Sequence, residues 1–371
     1  MKRQFNGEPR NKMRVLQLID SLRSGGAERM SINYANALAK RIDASFLCCT
    51  RKEGLLKKQL TPEVGYLFLN KKSTLDLEAL LKFRKFVKEN KIDFIQAHSS
   101  SWFLALMVKL SLPKVKLIWH DHYGRDLKQR KAGLLKSASR FFNGIIAVNK
   151  DLEQWSIENL SGKEVRYIRN FLPKISDSGE EIELKGGDSF KIICVANFRP
   201  QKDHLNLLQA FQQVILKHPG TTLHLIGKEE QSPYFSEVRR FLEDNRLQDK
   251  VFFYGEQENI SVLLRQANLG VLASASEGLP VALLEYGRAG IPVVCTAVGE
   301  CAEVIGKNGT LVPPQNPEVF AEAIGVYLEN EELLQKHSEH FKYSVQARYS
   351  EKVVLPHALK FFTDLNPTKF N

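Results

Sequence analysis

The hydrophobic pattern along the chain alternates between short apolar runs and longer amphipathic stretches. The first run, Arg14–Asp20, is followed by a glycine-containing loop, a helical pattern over residues 30–41 and a second apolar run at residues 44–50. Further predicted strands lie at residues 92–98, 114–120, 142–149 and 165–171. Short strands that alternate with helices of this length predict a parallel α/β sheet.

The pattern stops at a polar segment and then starts again. Residues 174–189, KISDSGEEIELKGGDS, are rich in glycine, serine and acidic residues, which is typical of a linker. Strand-like runs and helical patterns alternate again from residue 190 to residue 296. We therefore predict an α/β fold of two consecutive domains, residues 1–175 and 176–348, followed by a helix within residues 349–371.

Composition and cysteine usage narrow the class of protein. The chain has 371 residues, 43% of them hydrophobic and 26% charged, as in ordinary globular proteins. The N-terminal MKRQFNGEPRNK lacks the apolar core of a secretory signal, and the apolar stretch Trp102–Val108 is too short to span a bilayer. The five cysteines have no metal-binding spacing and indicate reduced thiols. We therefore expect a cytoplasmic protein.

Charge is distributed unevenly between the two halves. Residues 1–172 carry 33 Lys and Arg against 16 Asp and Glu, whereas residues 173–371 carry 20 against 26. Lysines on solvated helix faces would explain this, and so would a basic domain that faces a polyanion. We expect no nucleic-acid partner because no such motif is present, which leaves an anionic membrane surface as the favoured polyanion. The candidate residues are Lys57, Lys58, Lys71, Lys72, Lys82, Arg84, Lys85, Lys88, Lys128, Arg130 and Lys131.

The stretch SEGLPVALLEYGRAGIPVV contains two glutamates eight residues apart in apolar surroundings. Pro280 fits the first turn of a helix, whose N-terminus is an anion site, and Gly278 allows close backbone approach. Glu277 would lie just before this helix. Glu285 would lie within it, where its carboxylate could accept hydrogen bonds from two neighbouring hydroxyls, as on a ribose. The alternative is that Glu277 assists the helix start and Glu285 pairs with an arginine.

The same stretch resembles the signature of the family-4 retaining glycosyltransferases, E-G-[FL]-P, a helix with the second glutamate, and then G-x-P-V-V. Other segments resemble that family in the same order and cover nearly the whole chain: SGGAER, IQAHSSS, IWHDHYG, VRYIRNF and VANFRPQKDHLNLLQAF. The resemblance implies the GT-B fold, in which two Rossmann-like parallel-sheet domains face a central cleft. It also implies that the C-terminal helix returns to the N-terminal domain.

The resemblance further implies which residues bind the donor. Glu285 would bind the ribose hydroxyls, Glu277 the hydroxyls of the transferred sugar, and Lys202 and Arg199 the diphosphate. Many members carry an arginine five residues before the lysine, but Asn197 stands there in this chain, so Arg199 is the candidate substitute. The implied donor-binding residues are Gly25, Gly26, Arg199, Lys202, Gly278, Leu279, Pro280 and Glu285.

Histidines complete the predicted site. Together with Glu277 and Lys202, His120 is predicted to be catalytic, because the matching histidine of the family lies near the sugar. His98 and His122 are candidate contacts of the acceptor or the sugar. We predict no zinc site at these three histidines, since acidic and sulfur ligands at suitable spacing are absent.

The resemblance implies retaining transfer of a sugar from a nucleotide-diphosphate sugar to a glycan or lipid-linked acceptor. We expect neither a cofactor nor a metal, since cationic side chains and a helix N-terminus would stabilise the departing diphosphate. The basic half would dock the protein peripherally on the inner face of a membrane. A sugar-nucleotide epimerase, a phosphorylase on the same fold and a non-catalytic nucleotide-sugar-binding protein remain alternatives. The motifs of dehydrogenases and P-loop NTPases are absent.

Overall fold

The computed structural model describes residues 11–124, 127–173, 182–229 and 232–365, and the chain divides into two compact units. Unit 1 comprises residues 1–122, 131–168 and 355–371, and unit 2 comprises residues 123–130 and 169–354. The predicted boundary between residues 175 and 176 lies outside the described residues, as does the first half of the predicted linker, residues 174–181.

Unit 1 is built on a sheet of seven parallel strands in the order β3-β2-β1-β4-β5-β6-β7. The central strands are buried on both faces, as expected for a parallel sheet that helices cover on both sides. The strands are β1 Asn11–Ser21, β2 Ile42–Lys52, β3 Gly65–Phe68, β4 Phe94–His98, β5 Lys116–Asp121, β6 Gly144–Ala147 and β7 Val165–Tyr167.

Two helices of unit 1 begin at a residue whose side chain caps the helix. Asp76 accepts a hydrogen bond from the Ala79 backbone N–H at the start of the second helix, and Asn149 accepts one from Leu152 at the start of the fifth. Phe83, Trp119 and Phe142 belong to one core cluster against the sheet. The helices are α1 Gly26–Ala39, α2 Leu77–Glu89, α3 Trp102–Ser111, α4 Gly133–Ala138 and α5 Lys150–Asn159.

Unit 2 repeats this plan with six parallel strands in the order β10-β9-β8-β11-β12-β13. The strands are β8 Phe190–Val195, β9 Thr221–Ile226, β10 Val251–Phe253, β11 Leu269–Leu272, β12 Val293–Thr296 and β13 Thr310–Val312. The helices are α6 His204–Lys217, α7 Pro233–Asp244, α8 Ile260–Leu264, α9 Val281–Ala289, α10 Cys301–Ile305, α11 Pro317–Glu329 and α12 Glu331–Tyr349. The last helix, α13 Glu351–Asp364, includes Leu355, where the chain passes back to unit 1.

The strand order reverses beside the first strand of each unit. Strand β1 lies between β2 and β4, and β8 lies between β9 and β11. In open parallel sheets, ligands bind outside the carboxyl ends of the strands at such a point. The loops after β1, β4, β8 and β11 are therefore the places to look for a site. The predicted α/β class with parallel sheets is confirmed. Among the described residues, no helix is both long and apolar enough to cross a membrane.

Candidate active site

A largely buried ion pair joins the loops that follow β8 and β11. Lys202 Nζ lies 2.5 Å from Glu277 Oε1, and Ser274 Oγ donates a hydrogen bond of 2.6 Å to the same oxygen. The Glu277 side chain is only 8% exposed and that of Lys202 is 21% exposed. A buried carboxylate needs such partners. The structure thus brings together two residues predicted from the sequence and adds Ser274, which the sequence analysis missed.

The loop after β8 is a tight turn that leaves one cation in solvent. Asp203 adopts a left-handed conformation with φ +48° and caps α6, and the Ala275 backbone N–H donates to the Gln201 carbonyl at 2.9 Å. These contacts hold Lys202 beside the loop that follows β11. Arg199 is exposed and makes no ion pair within the described part of the chain. It is therefore available to an anionic ligand.

Asn197, the position at which the chain departs from the family pattern, has a structural contact. Its Oδ1 accepts a hydrogen bond of 2.9 Å from the Lys228 backbone N–H, which ties the loop after β8 to the loop after β9. The two loops are close, since a Cβ on Gly227 would lie 2.0 Å from the Ala196 carbonyl oxygen. Asn197 therefore orders the loop but does not replace the charge of an arginine.

The loop that leads from Glu277 into α9 is held by backbone contacts within unit 2. Gly299 has φ +51°, and a Cβ there would lie 2.1 Å from the Glu277 carbonyl oxygen. The Glu300 N–H donates to the Gly278 carbonyl at 3.0 Å, and a Cβ on Gly278 would lie 2.9 Å from the Tyr123 carbonyl oxygen. Both glycines are required by close backbone approach, as was predicted only for Gly278.

Helix α9 begins one residue later than predicted. Pro280 is the N-cap residue, with φ −74° and ψ 108°, and Val281 is the first helical residue. Proline was expected inside the first turn, but its extended ψ here keeps it just outside the helix. No side chain caps this N-terminus, so its N–H groups can bind an anion. Leu279 is buried beside it.

Helix α9 also carries the predicted ribose ligand and an unpredicted bridge between strands. Glu285 is 4% exposed, in agreement with the expectation of a buried carboxylate. The hydroxyl of Tyr286 accepts a hydrogen bond of 2.7 Å from the Val195 N–H and donates one of 3.2 Å to the Val271 carbonyl. Tyr286 thus fills the gap between β8 and β11, beyond their last paired residues.

In unit 1, the ends of β1, β2 and β4 meet at a carboxylate. Asp20 accepts hydrogen bonds from Thr50 Oγ1 at 2.5 Å and from Ser100 Oγ at 2.6 Å. Gly25 is in an extended conformation and Gly26 is the first residue of α1, whose N-terminus has no side-chain cap. The two predicted glycines therefore lie at a helix N-terminus after the first strand, as an anion site requires.

The three predicted histidines lie together in unit 1. His98 Nδ1 is 2.9 Å from His122 Nε2, and the ring centroids of His120 and His122 are 4.1 Å apart. Two buried glutamines, Gln17 and Gln96, connect His98 to His120 through hydrogen bonds of 2.7, 3.0 and 2.9 Å. Burial lowers the pKa of all three imidazoles, that of His122 to about 3, so they are neutral near pH 7.

The histidine cluster is the one group in the described ranges whose geometry could suit a metal. Ligand nitrogens of His98, His120 and His122 all lie within 4.8 Å of one another. Neutral imidazoles are ordinary zinc ligands. However, His98 uses both ring nitrogens in hydrogen bonds, one of them to His122. These contacts would have to break before a metal could bind, so the expectation that there is no zinc site stays a prediction.

One predicted surface residue is corrected. Lys71 is buried, and its backbone N–H donates to the Thr50 carbonyl next to the end of β2. Burial lowers its pKa, so it is not a candidate for docking to a membrane. The side chain of Lys128 lies outside the described residues. The other nine predicted basic residues are exposed or partly exposed.

Comparison with known proteins identifies the family. Residues 177–344 match the model for glycosyl transferases group 1, and residues 24–173 match the model for Glycosyltransferase Family 4. The chain is 30% identical over 298 residues to the O-antigen biosynthesis glycosyltransferase WbnH of Escherichia coli, over 78% of this chain and 82% of WbnH. The chain belongs to glycosyltransferase family 4. The resemblance predicted from the EGLP segment and its companions is thereby confirmed.

Another relative and a solved structure extend this result. An Escherichia coli enzyme, UDP-Gal:alpha-D-GlcNAc-diphosphoundecaprenol alpha-1,3-galactosyltransferase, is 22% identical over 84% of this chain and 87% of its own. The crystal structure of Anabaena Alr3699/HepE in complex with UDP and glucose has a TM-score of 0.80 at 20% identity, and covers 95% of this chain and 99% of that one. This similarity confirms the GT-B fold. Two other curated relatives are longer, and the chain spans 28% of one and 57% of the other.

Proposed function

We propose that this family-4 chain is a retaining, metal-independent glycosyltransferase. It would move a sugar from a nucleotide-diphosphate sugar to a glycan or lipid-linked acceptor. The observation that carries the proposal is the Lys202–Glu277 pair at the switch point of unit 2, beside the uncapped N-terminus of α9. A cation, a carboxylate and a helix N-terminus together match a diphosphate joined to a hydroxyl-rich sugar.

The ion pair can exchange partners when the donor binds. Glu277 neutralises Lys202 in the absence of substrate, and both side chains keep some exposure. A diphosphate would offer Lys202 a second anion, and Arg199 is exposed on the same loop. The carboxylate of Glu277, still held by Ser274, could then accept hydrogen bonds from sugar hydroxyls. Glu285 would accept hydrogen bonds from the ribose.

The same groups support the proposed metal independence. Breaking the sugar–phosphate bond gives the ring oxocarbenium character and adds negative charge to the departing diphosphate. Lys202, Arg199 and the α9 N–H groups are donors placed to stabilise that charge, which is a task that a bound divalent metal performs in other enzymes. Retention is implied by the family resemblance.

A lipid-linked acceptor at an anionic membrane surface is our proposal for the second substrate. The galactosyltransferase relative is named for a diphosphoundecaprenol-linked acceptor. The outer face of α2 exposes Lys82, Lys85 and Lys88, and the leucines Leu77 and Leu81 on this helix are 68% and 56% exposed. Apolar side chains among lysines suit the boundary between headgroups and acyl chains.

Turnover assays with UDP-, GDP- and ADP-sugars test the reaction. We expect release of the nucleoside diphosphate only when an acceptor is present, an unchanged rate in excess EDTA, and a product with the anomeric configuration of the donor. An epimerase would instead form a new nucleotide sugar without release, and a phosphorylase would require phosphate. If a nucleotide sugar stabilises the protein against unfolding but no turnover occurs, the result would support the alternative of a non-catalytic nucleotide-sugar-binding protein.

Sedimentation with vesicles tests the location. The protein should sediment with anionic vesicles at low salt, and less as salt screens the charges. Leu77→Ser with Leu81→Ser should weaken binding, whereas Leu216→Ser is the matched control, since Leu216 lies on α6 of unit 2 and is 81% exposed. Equal binding to neutral vesicles would contradict docking through lysines.

A further inference from the structure

The sheet of unit 1 contains polar side chains where an apolar core is the norm. Gln17 of β1, Gln96 and His98 of β4 and His120 of β5 are all 0% exposed. Burying polar groups costs free energy unless each is hydrogen-bonded. These four side chains and His122 form one continuous hydrogen-bonded chain in the order His120, Gln96, Gln17, His98, His122. We call it the imidazole–amide chain.

The two amides determine where the protons lie on the imidazoles. Gln96 Nε2 can only donate, so His120 Nδ1 accepts and His120 carries its proton on Nε2. Gln17 Nε2 donates to Gln96 Oε1, which leaves Gln17 Oε1 to accept from His98 Nε2.

With its proton on Nε2, neutral His98 accepts through Nδ1 from His122 Nε2. His122 therefore has its lone pair on Nδ1. If either amide were rotated so that its oxygen and nitrogen changed places, the donor and acceptor of every hydrogen bond in the imidazole–amide chain would have to be exchanged. Only two arrangements of the protons are therefore self-consistent.

The two ends of the imidazole–amide chain differ in accessibility. His120 Nε2 is buried without a hydrogen-bond partner, and its ring lies edge-on to Tyr34 with centroids 5.5 Å apart. His122 is the one partly exposed member, and its Nδ1 has no hydrogen bond within the described part of the chain. Only the His122 end can meet a ligand without rearrangement of the core.

We propose that His122 is the substrate-contacting histidine of unit 1 and accepts a hydrogen bond from a hydroxyl of the acceptor through Nδ1. Gln17, Gln96 and His98 are positioning residues that hold its proton on Nε2. This inference rests on the proposed glycosyl transfer, and it selects the acceptor from the two candidate contacts of His122, the acceptor and the sugar. Because its pKa is lowered to about 3, His122 orients the hydroxyl and does not take its proton.

The test compares two substitutions at Gln17, which contacts no substrate. Gln17→Met has nearly the same shape but cannot accept from His98 Nε2, so the proton positions on His98 and His122 are no longer enforced. Gln17→Glu, protonated in this fully buried position, keeps an oxygen that accepts from His98 Nε2 and an O–H that donates to Gln96 Oε1. Nitrogen-15 NMR of the histidine side chains reports the tautomers, and steady-state kinetics report the KM of the acceptor and the KM of the donor.

We expect His122 to be protonated on Nε2 in the wild-type protein and to be a mixture of the two neutral tautomers in Gln17→Met. In that variant the KM of the acceptor should rise about tenfold, and the KM of the donor should be unchanged. Gln17→Glu should restore the tautomer and most of the acceptor affinity. A proton on His122 Nδ1 in the wild type would overturn the proposal. So would a Gln17→Met protein that is less stable to urea but has unchanged tautomers and KM. Absence of any transfer would refute the proposed function, whereas the NMR measurement would still test the proton positions in the imidazole–amide chain.

Discussion

Gly299 provides the most direct test of how unit 2 holds its site. Its φ of +51° lies in the left-handed region, and its missing side chain leaves room for the carbonyls of Glu277 and Gly278. Replacing it with alanine changes one methyl group and adds no polar atom. We therefore expect Gly299→Ala to perturb the Glu277 loop through geometry alone.

Two separate penalties contribute to the expected magnitude. The left-handed backbone costs an alanine about 1–2 kcal/mol. In addition, the new Cβ would lie 2.1 Å from the Glu277 oxygen and 2.7 Å from the Gly278 oxygen, and both are backbone atoms that no rotamer change can move. The loop must shift, and a shift of about 1 Å in a binding loop can cost a hundredfold in rate.

A matched control separates the two penalties. Gly187 has φ +55° but nothing within 4 Å of its would-be Cβ, so Gly187→Ala carries the backbone penalty alone. Urea unfolding measures the stability of each variant, and calorimetric titration with the nucleotide sugar measures its donor affinity. The donor affinity of Gly187→Ala should be similar to that of the wild-type protein. Gly299→Ala should be less stable than Gly187→Ala and should bind the donor at least tenfold more weakly. Equal stability and equal affinity of the two variants would refute the reasoning.

Three further outcomes are expected. Lys202→Ala should lower kcat more than it weakens binding of the nucleoside diphosphate, because the charge it meets grows in the transition state, and full activity would remove the diphosphate role. Glu285→Gln should weaken donor binding by about 1.5–3 kcal/mol in calorimetry with the fold intact, whereas unchanged affinity would contradict the ribose contact. Burial lowers the folded-state pKa of His98, His120 and His122, so below about pH 6.5 the unfolded state binds more protons and stability falls with falling pH. His122, whose pKa is lowered to about 3, should by itself cost about 2 kcal/mol at pH 5, and a free energy of urea unfolding that is equal at pH 7 and pH 5 would contradict this expectation.

Local features of the sequence determine much of this protein. The period of apolar residues predicted the strands around β1, β5 and β8, because each depends on neighbours within its own segment. The same is true of α9, which ends at Gly290 with φ +74°, as a glycine after a helix indicates. The short strand β3 was missed, since four half-buried residues give no clear period.

Tertiary structure decides which of these residues meet. Lys202 and Glu277 are 75 positions apart in the sequence. They form an ion pair because β11 lies directly beside β8, whereas β9 and β10 lie on the other side of β8. Strand order depends on how the connecting helices pack, which no local pattern records. The three histidines of the imidazole–amide chain were singled out from the sequence, but Gln17 and Gln96, one glutamine in each of two apolar strands, were missed. Gln17 and Gln96 are 79 positions apart, so their hydrogen bond forms only when β1 and β4 pair in the folded sheet.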